Sequence, residues 1–195
     1  MELRWPSEVE LPSYVEALEH GWSPNTLDER AGWAELDRIR RDPQAFLDSL
    51  VDRDAAGSPI SLPDGSTAER IPGYRKWMWD GAFCGSIGLR WCRGTEELPP
   101  HVLGHVGYSV VPWKRRRGYA TAAVLAIRHD AAAEGLRWVD ITTDIDNTAS
   151  QRVIEGAGGT LLERFTYPPE FGDGDGLRYR IEVSLDAGTE GSRRV

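Results

Sequence analysis

Residues 108–121 read YSVVPWKRRRGYAT. A strand ends at Val111, Pro112 closes it, and a Pro- and Arg-rich turn leads into a helix that starts near Gly118. The first N–H groups of a helix have no backbone partner, and here they point into the turn. The helix dipole adds partial positive charge at the same place. A strand–turn–helix of this kind is therefore an anion site, and a diphosphate fits it. Gly118 lets backbone approach a phosphate, the small side chain of Ala120 leaves room over the first turn, and Arg115, Arg116 and Arg117 add charge. The stretch is not a P-loop, because it lacks G-x-x-x-x-G-K-[ST]. A net charge of −8 argues against a nucleic-acid patch. A solvated charge run remains the bland alternative.

Upstream, residues 104–111 (GHVGYSVV) place Val106, Tyr108 and Val110 on one side of a strand. Before it, residues 73–80 and 82–91 flank Gly81 as a hairpin, with Phe83, Ile87, Leu89 and Trp91 sharing a face. Downstream, residues 117–134 form an Ala-rich helix with Ala120, Val124, Ile127 and Ala131 on one stripe, ended by Gly135. Strands at 138–143, 160–166 and 177–185 follow, with a short helix at 148–156 capped by Asn147. The first third differs. Residues 8–20 and 29–50 read as helices interrupted at Pro12 and Pro43, a first strand fits residues 2–5, and 54–72 has the turn density of a loop. This order excludes a doubly wound sheet and gives an α+β sheet with helices on it.

Charge divides at the same boundary. Residues 1–72 carry fifteen acidic and seven basic side chains, whereas 73–195 carry sixteen of each. An acidic annex disfavours DNA and anionic membrane and attracts cations, including protonated amines; it equally serves solubility. No apolar run is long enough to span a bilayer, and the start lacks the charge and apolar pattern of a secretory signal. The only cysteines, Cys84 and Cys92, have no metal-ligand spacing around them, so no metal is expected and a reducing cytoplasm is the default.

R-R-R-G-Y-A, residues 115–120, resembles the Q/R-x-x-G-x-G/A acetyl-CoA loop of the GNAT superfamily of N-acetyltransferases. Its context strengthens the likeness. Val110 and Pro112 keep the family's spacing before the loop, and Asn147, Ser150, Val153, Glu155 and Gly158 resemble the family's N-x-x-A/S-x-x-v-x-e-x-x-G block. The run GHVGYSVVPWKRRRGYAT is similar to a bacterial branch of the superfamily. The resemblance covers 73–185; residues 1–72 match as the two helices beside which the family builds its acceptor site. It implies one domain over 1–186, with a helical acceptor-side part (1–72) and an acyl-CoA core (73–186), and a disordered tail at 187–195. It implies a GNAT-like mixed, mostly antiparallel sheet of six to seven strands with about four helices, splayed between the 104–111 and 138–143 strands.

The implied cosubstrate is acetyl-CoA. Its pantetheine would lie along Val110 and Val111, and its diphosphate on Arg115, Arg116, Arg117, Gly118, Tyr119, Ala120 and Thr121. Asn147 and Ser150 would face the thioester end. The implied acceptor is a cationic small-molecule or peptide amine, in a pocket lined by Trp22, Trp33, Trp77, Trp79, Glu19, Asp28 and Glu29. Homodimers are common in the family. The chain departs from the family pattern in its acid and base. Ile154 stands where many members carry a tyrosine, and the 104–111 strand has no glutamate. His105 or His101 is then the candidate base, Tyr108 or Tyr167 the candidate acid, and Ser150 a contact to the thiol. Those gaps leave two alternatives open: an acyl-CoA-binding module without catalysis, and a general phosphoanion-binding domain.

Overall fold

The computed structural model describes residues 1–25, 30–61, 66–171 and 174–183. The expected tail at 187–195 lies outside the described residues, as do Asp28 and Glu29. In chain order the elements are β1 (Glu2–Arg4), α1 (Leu11–Glu19), α2 (Arg30–Arg41), α3 (Pro43–Asp48), β2 (Val51–Asp52), β3 (Ile60–Ser61), β4 (Thr67–Ala68), β5 (Gly73–Trp79), β6 (Phe83–Arg90), β7 (Val106–Val110), α4 (Tyr119–Ala133), β8 (Trp138–Asp144), α5 (Thr148–Gly156), β9 (Thr160–Thr166) and β10 (Asp175–Glu182).

Five α-helices stand where about four were expected, because Pro43 divides 29–50 into two. Asp42 accepts a hydrogen bond from the Ala45 N–H and caps α3, and Pro43 occupies its first turn, where a missing N–H costs nothing. Pro12 does not interrupt α1; it too lies in the first turn.

Every ladder among the described strands is antiparallel. One sheet runs β1–β5–β6–β7, with β2 also on β5; a second runs β8–β10–β9; β3 and β4 pair separately. The two larger sheets meet between β7 and β8, at the expected splay. At one end the His105 N–H donates to the Asp140 carbonyl (2.7 Å), and the Asp140 N–H donates to His105 Nδ1 (3.0 Å). Gly104 permits this approach, since a Cβ there would lie 2.9 Å from the Asp140 oxygen. Beyond this pin no ladder joins β7 to β8.

Period-two alternation gives the sheet two apolar faces. On one, Tyr74, Met78, Ile87, Leu89 and Val106 pack with Ala123, Val124, Ile127 and Ala131 of α4. Ala123 takes the buried place expected for Ala120, which is half-buried at the helix start. On the other, Trp77, Phe83 and Val111 pack with Tyr14, Trp22, Leu36 and Phe46 from the N-terminal helices. Tyr14 stacks on Trp77 at 4.7 Å between centroids and meets Phe83 edge-on. A buried polar knot joins these helices to the sheet: Arg75 Nη1 donates to Glu35 Oε1 (2.8 Å) and to the Tyr14 hydroxyl (3.2 Å), and that hydroxyl donates to Glu35.

Gly85 of β6 has φ +149°, and a Cβ there would lie 2.2 Å from the Ser109 oxygen and 2.8 Å from the Val110 Cα. Both obstacles are backbone of β7. Gly85→Ala is expected to lower unfolding stability by about 2–5 kcal/mol, from strain and overpacking together. A denaturant midpoint equal to wild type would contradict this packing.

Candidate functional site

The turn after β7 is built from specific backbone angles. Pro112–Lys114 forms one 3-10 turn, Arg115 is extended (φ −65°, ψ 163°), and Arg116 and Gly118 are both left-handed (φ +59° and +75°). The Arg115 N–H donates to the Pro112 carbonyl, and the next backbone bond is Ala122 N–H to Gly118 (3.0 Å). Between them, the N–H groups of Arg116 through Thr121 have no acceptor among the described residues. Left-handed residues in such a run turn successive N–H groups toward one concavity, and the start of α4 adds its dipole. A Cβ on Gly118 would meet nothing within 4 Å, so the glycine serves the turn's angle and the space above it is open.

Side chains anchor this turn to the sheet. Lys114 pairs with Asp80 in the β5–β6 hairpin, and the Tyr119 hydroxyl donates to Asp80 Oδ2 (2.6 Å). Lys114, then Tyr119, hold the Asp80 carboxyl well below the usual carboxylate range. Arg115 Nε donates to the Val110 carbonyl (3.2 Å), which ties the loop to the end of β7. Arg116 and Arg117 are exposed, and Thr121 faces Gly156 of α5.

The splay presents a free strand edge. The Arg90 N–H donates to the His105 carbonyl and the Val111 N–H to the Cys84 carbonyl. By antiparallel alternation, residues 105, 107, 109 and 111 bond to β6, and the peptide groups of Val106, Tyr108 and Val110 point toward β8. Val110, but not Val111, thus offers its N–H to the splay. Across it, the Tyr108 hydroxyl lies 2.8 Å from Ser150 Oγ, and Asn147 Oδ1 accepts from the Ser150 N–H (3.0 Å) while capping α5. Burial first, against an opposing contribution from Ser150, pushes the Tyr108 phenol up to about 12.

A cleft of about 630 Å³ reaches this edge from the face that carries the N-terminal helices. Arg75, Gly88 and Gly107 form one row across β5, β6 and β7 on its floor. His101 lines its wall.

A family model described as "Acetyltransferase (GNAT) domain" matches residues 3–160. The chain belongs to the GNAT acetyltransferase family. No curated protein sequence matches it. Solved structures share the fold at low identity. The microcin C7 self-immunity acetyltransferase MccE, in complex with acetyl-CoA and AMP, aligns over 93% of this chain and 91% of its own, with 10% identity and a TM-score of 0.56. RimL, a ribosomal L7/L12 alpha-N-protein acetyltransferase in complex with coenzyme A, aligns over 94% of both chains, with 12% identity and a TM-score of 0.57. RimJ of Mycobacterium smegmatis, in complex with CoA-disulfide, aligns over 93% and 81%, with 18% identity and a TM-score of 0.58.

In this GNAT enzyme the structure brings together Tyr108, Val110, Asn147 and Ser150 at the splay. His105 stands apart from them. It is 1% exposed, its Nδ1 is taken by the Asp140 N–H, and burial, its largest influence, lowers its pKa. The aromatic acceptor lining expected from the sequence is not formed: Trp22 and Trp77 are core, Trp33 is exposed, and Trp79 lies under Arg4. Glu19 pairs with Arg40 (3.8 Å). Burial first, and then the Asp144 carboxylate, push the Tyr167 phenol well up, and its ring lies against Gly176 of β10. Sequence reasoning missed Asp80, whose Asp-Gly position signals only a turn, and Arg75 and Arg90 of the cleft, which look like ordinary outward residues of a hairpin.

A raised phenol pKa favours the folded state below pH 10, and that contribution is lost as pH rises from 10 toward 12. The ultraviolet titration of wild type minus Tyr108→Phe should therefore show no inflection at pH 10 and one near pH 12. An inflection near 10 would contradict the burial of this hydroxyl.

Proposed function

We propose that this enzyme transfers an acetyl group from acetyl-CoA to a primary amine of a small molecule or peptide. The observation that carries the reading is the run of unpartnered amides from Arg116 to Thr121, in the concave turn beside the free edge of β7. That run has the donor set a diphosphate needs. The peptide groups of Tyr108 and Val110 suit the amide-bearing pantetheine arm, which would add to β7 as a strand does.

Bound there, acetyl-CoA supplies an acetyl group activated as a thioester. The free N–H groups of Tyr108 and Val110 are the available donors for charge that develops on its carbonyl oxygen. An alkyl ammonium has a pKa near ~10.4 and must lose a proton before it attacks. His101, on the wall of the cleft, is the histidine placed to receive it; His105 holds the seam and positions β7. The Tyr108 phenol stays protonated at neutral pH and, paired with Ser150, is the donor for a departing thiolate whose own pKa is near ~8.5.

Calorimetry and steady-state kinetics test this together. Wild type should bind coenzyme A, and Gly118→Val, which forces a branched side chain into a left-handed angle, should weaken binding about 10- to 100-fold. Tyr108→Phe should lower kcat about 10- to 100-fold with little change in the KM for acetyl-CoA. No heat with coenzyme A would overturn the reading. Binding without turnover on any amine would leave a coenzyme-binding module, and full activity in Tyr108→Phe would remove the proposed acid.

A further inference from the structure

The floor of the cleft carries a charge that no described side chain neutralises. A Cβ built on Gly107 would lie 2.9 Å from Arg90 Nη2, so the Arg90 guanidinium rests against bare strand at Gly107. Gly107 is the register partner of Gly88, and Gly88 of Arg75, so the floor is side-chain-free between the two arginines.

The two arginines differ in their partners. Arg75 is neutralised by Glu35 and bonded to Tyr14. The Arg90 guanidinium makes no hydrogen bond or ion pair among the described residues; its backbone N–H is engaged by the His105 carbonyl. The protein packed around it, and then the like charge of Arg75, push its pKa below the ordinary range, although solvent reaches it from the cleft mouth. Asp52 is the one carboxylate among the described lining residues, and its two oxygens accept from the Ala56 and Gly57 N–H groups. A third arginine, Arg70, also lines the cleft. In a chain of net charge −8, this cleft is an island of positive charge with one unengaged fork of donors.

We propose that the cleft selects an amine acceptor that also carries an anionic group, a carboxylate or a phosphate, and that Arg90 binds this anion over the Gly88–Gly107 floor. The proposal rests on the acetyltransferase reading above and deepens it by naming the acceptor's chemistry. It replaces the purely cationic acceptor suggested by the acidic N-terminal third. Arg90 fixes the anion, and the amine is then directed along β7 toward Tyr108, where the cleft meets the splay. Gly107 is a specificity position in the same sense, since any side chain there displaces the guanidinium.

The test is equilibrium binding to the coenzyme A-loaded enzyme with matched probes that differ in having or lacking an anion: O-phosphoethanolamine against ethanolamine, and β-alanine against β-alaninamide. In wild type the acidic member of at least one pair should bind about tenfold or more tightly. Arg90→Gln should erase the preference while leaving coenzyme A affinity unchanged, and Arg90→Lys should restore part of it. Preference for the phosphate pair alone identifies a phosphorylated acceptor, and for the β-alanine pair alone a carboxylate one. Equal binding within both pairs, or a preference that survives in Arg90→Gln, overturns the proposal. Loss of coenzyme A binding in wild type would instead overturn the transferase reading, so the two failures are distinguishable.

Discussion

The site depends on one seam between two sheets. His105 and Asp140 exchange two hydrogen bonds, and nothing continues that pairing toward Val110. Asp140 is itself held from the other side, where Arg180 of β10 grips its carboxylate with two bonds of 2.8 and 2.9 Å. Such a bidentate pair fixes orientation as well as distance. The pin keeps β7 and β8 adjacent at one end and lets them diverge at the other. Divergence leaves the Tyr108 and Val110 peptide groups without strand partners, and a row of unpaired peptide groups between two sheets invites an extended ligand.

Around that opening, three regions contribute different things. The turn before α4 contributes free amides, and Asp80 holds it through Lys114 and Tyr119. Helix α5 contributes Ser150, aimed at Tyr108 because Asn147 caps the helix through the Ser150 amide. The N-terminal helices contribute the cleft, held against the sheet by the Tyr14–Trp77 stack and the Glu35–Arg75 knot. The helical third is thus part of the sheet's own core rather than an attachment, even though its charge sets it apart.

Much of this was legible in the sequence because it follows local rules. The 148–156 helix and the 160–166 strand fall on their expected bounds, since Asn147 caps the helix and the glycines at 156, 158 and 159 separate it from the strand. The strand–turn–helix at 108–121 was legible for the same reason: strand, proline, arginines and glycine occur within fourteen residues of chain. What was not legible is what depends on distant pairing. His105 reads as a strand histidine open to chemistry, and only its bond with Asp140, thirty-five positions away, shows it to be a structural pin. The tryptophans carry no signal that separates a pocket wall from a core. Arg75 and Arg90 read alike, and only the position of Glu35 on a separate helix leaves one neutralised and the other not.

The central claim is that the amides of Arg116–Thr121 are free because they await a diphosphate. Nuclear magnetic resonance of the backbone amides during titration with coenzyme A tests it most directly. The account predicts that the signals of residues 116–121 move farthest, joined by Tyr108 and Val110, with His105 and Asp140 nearly still. Saturation with coenzyme A that leaves residues 116–121 unmoved, or moves a different surface, would contradict it.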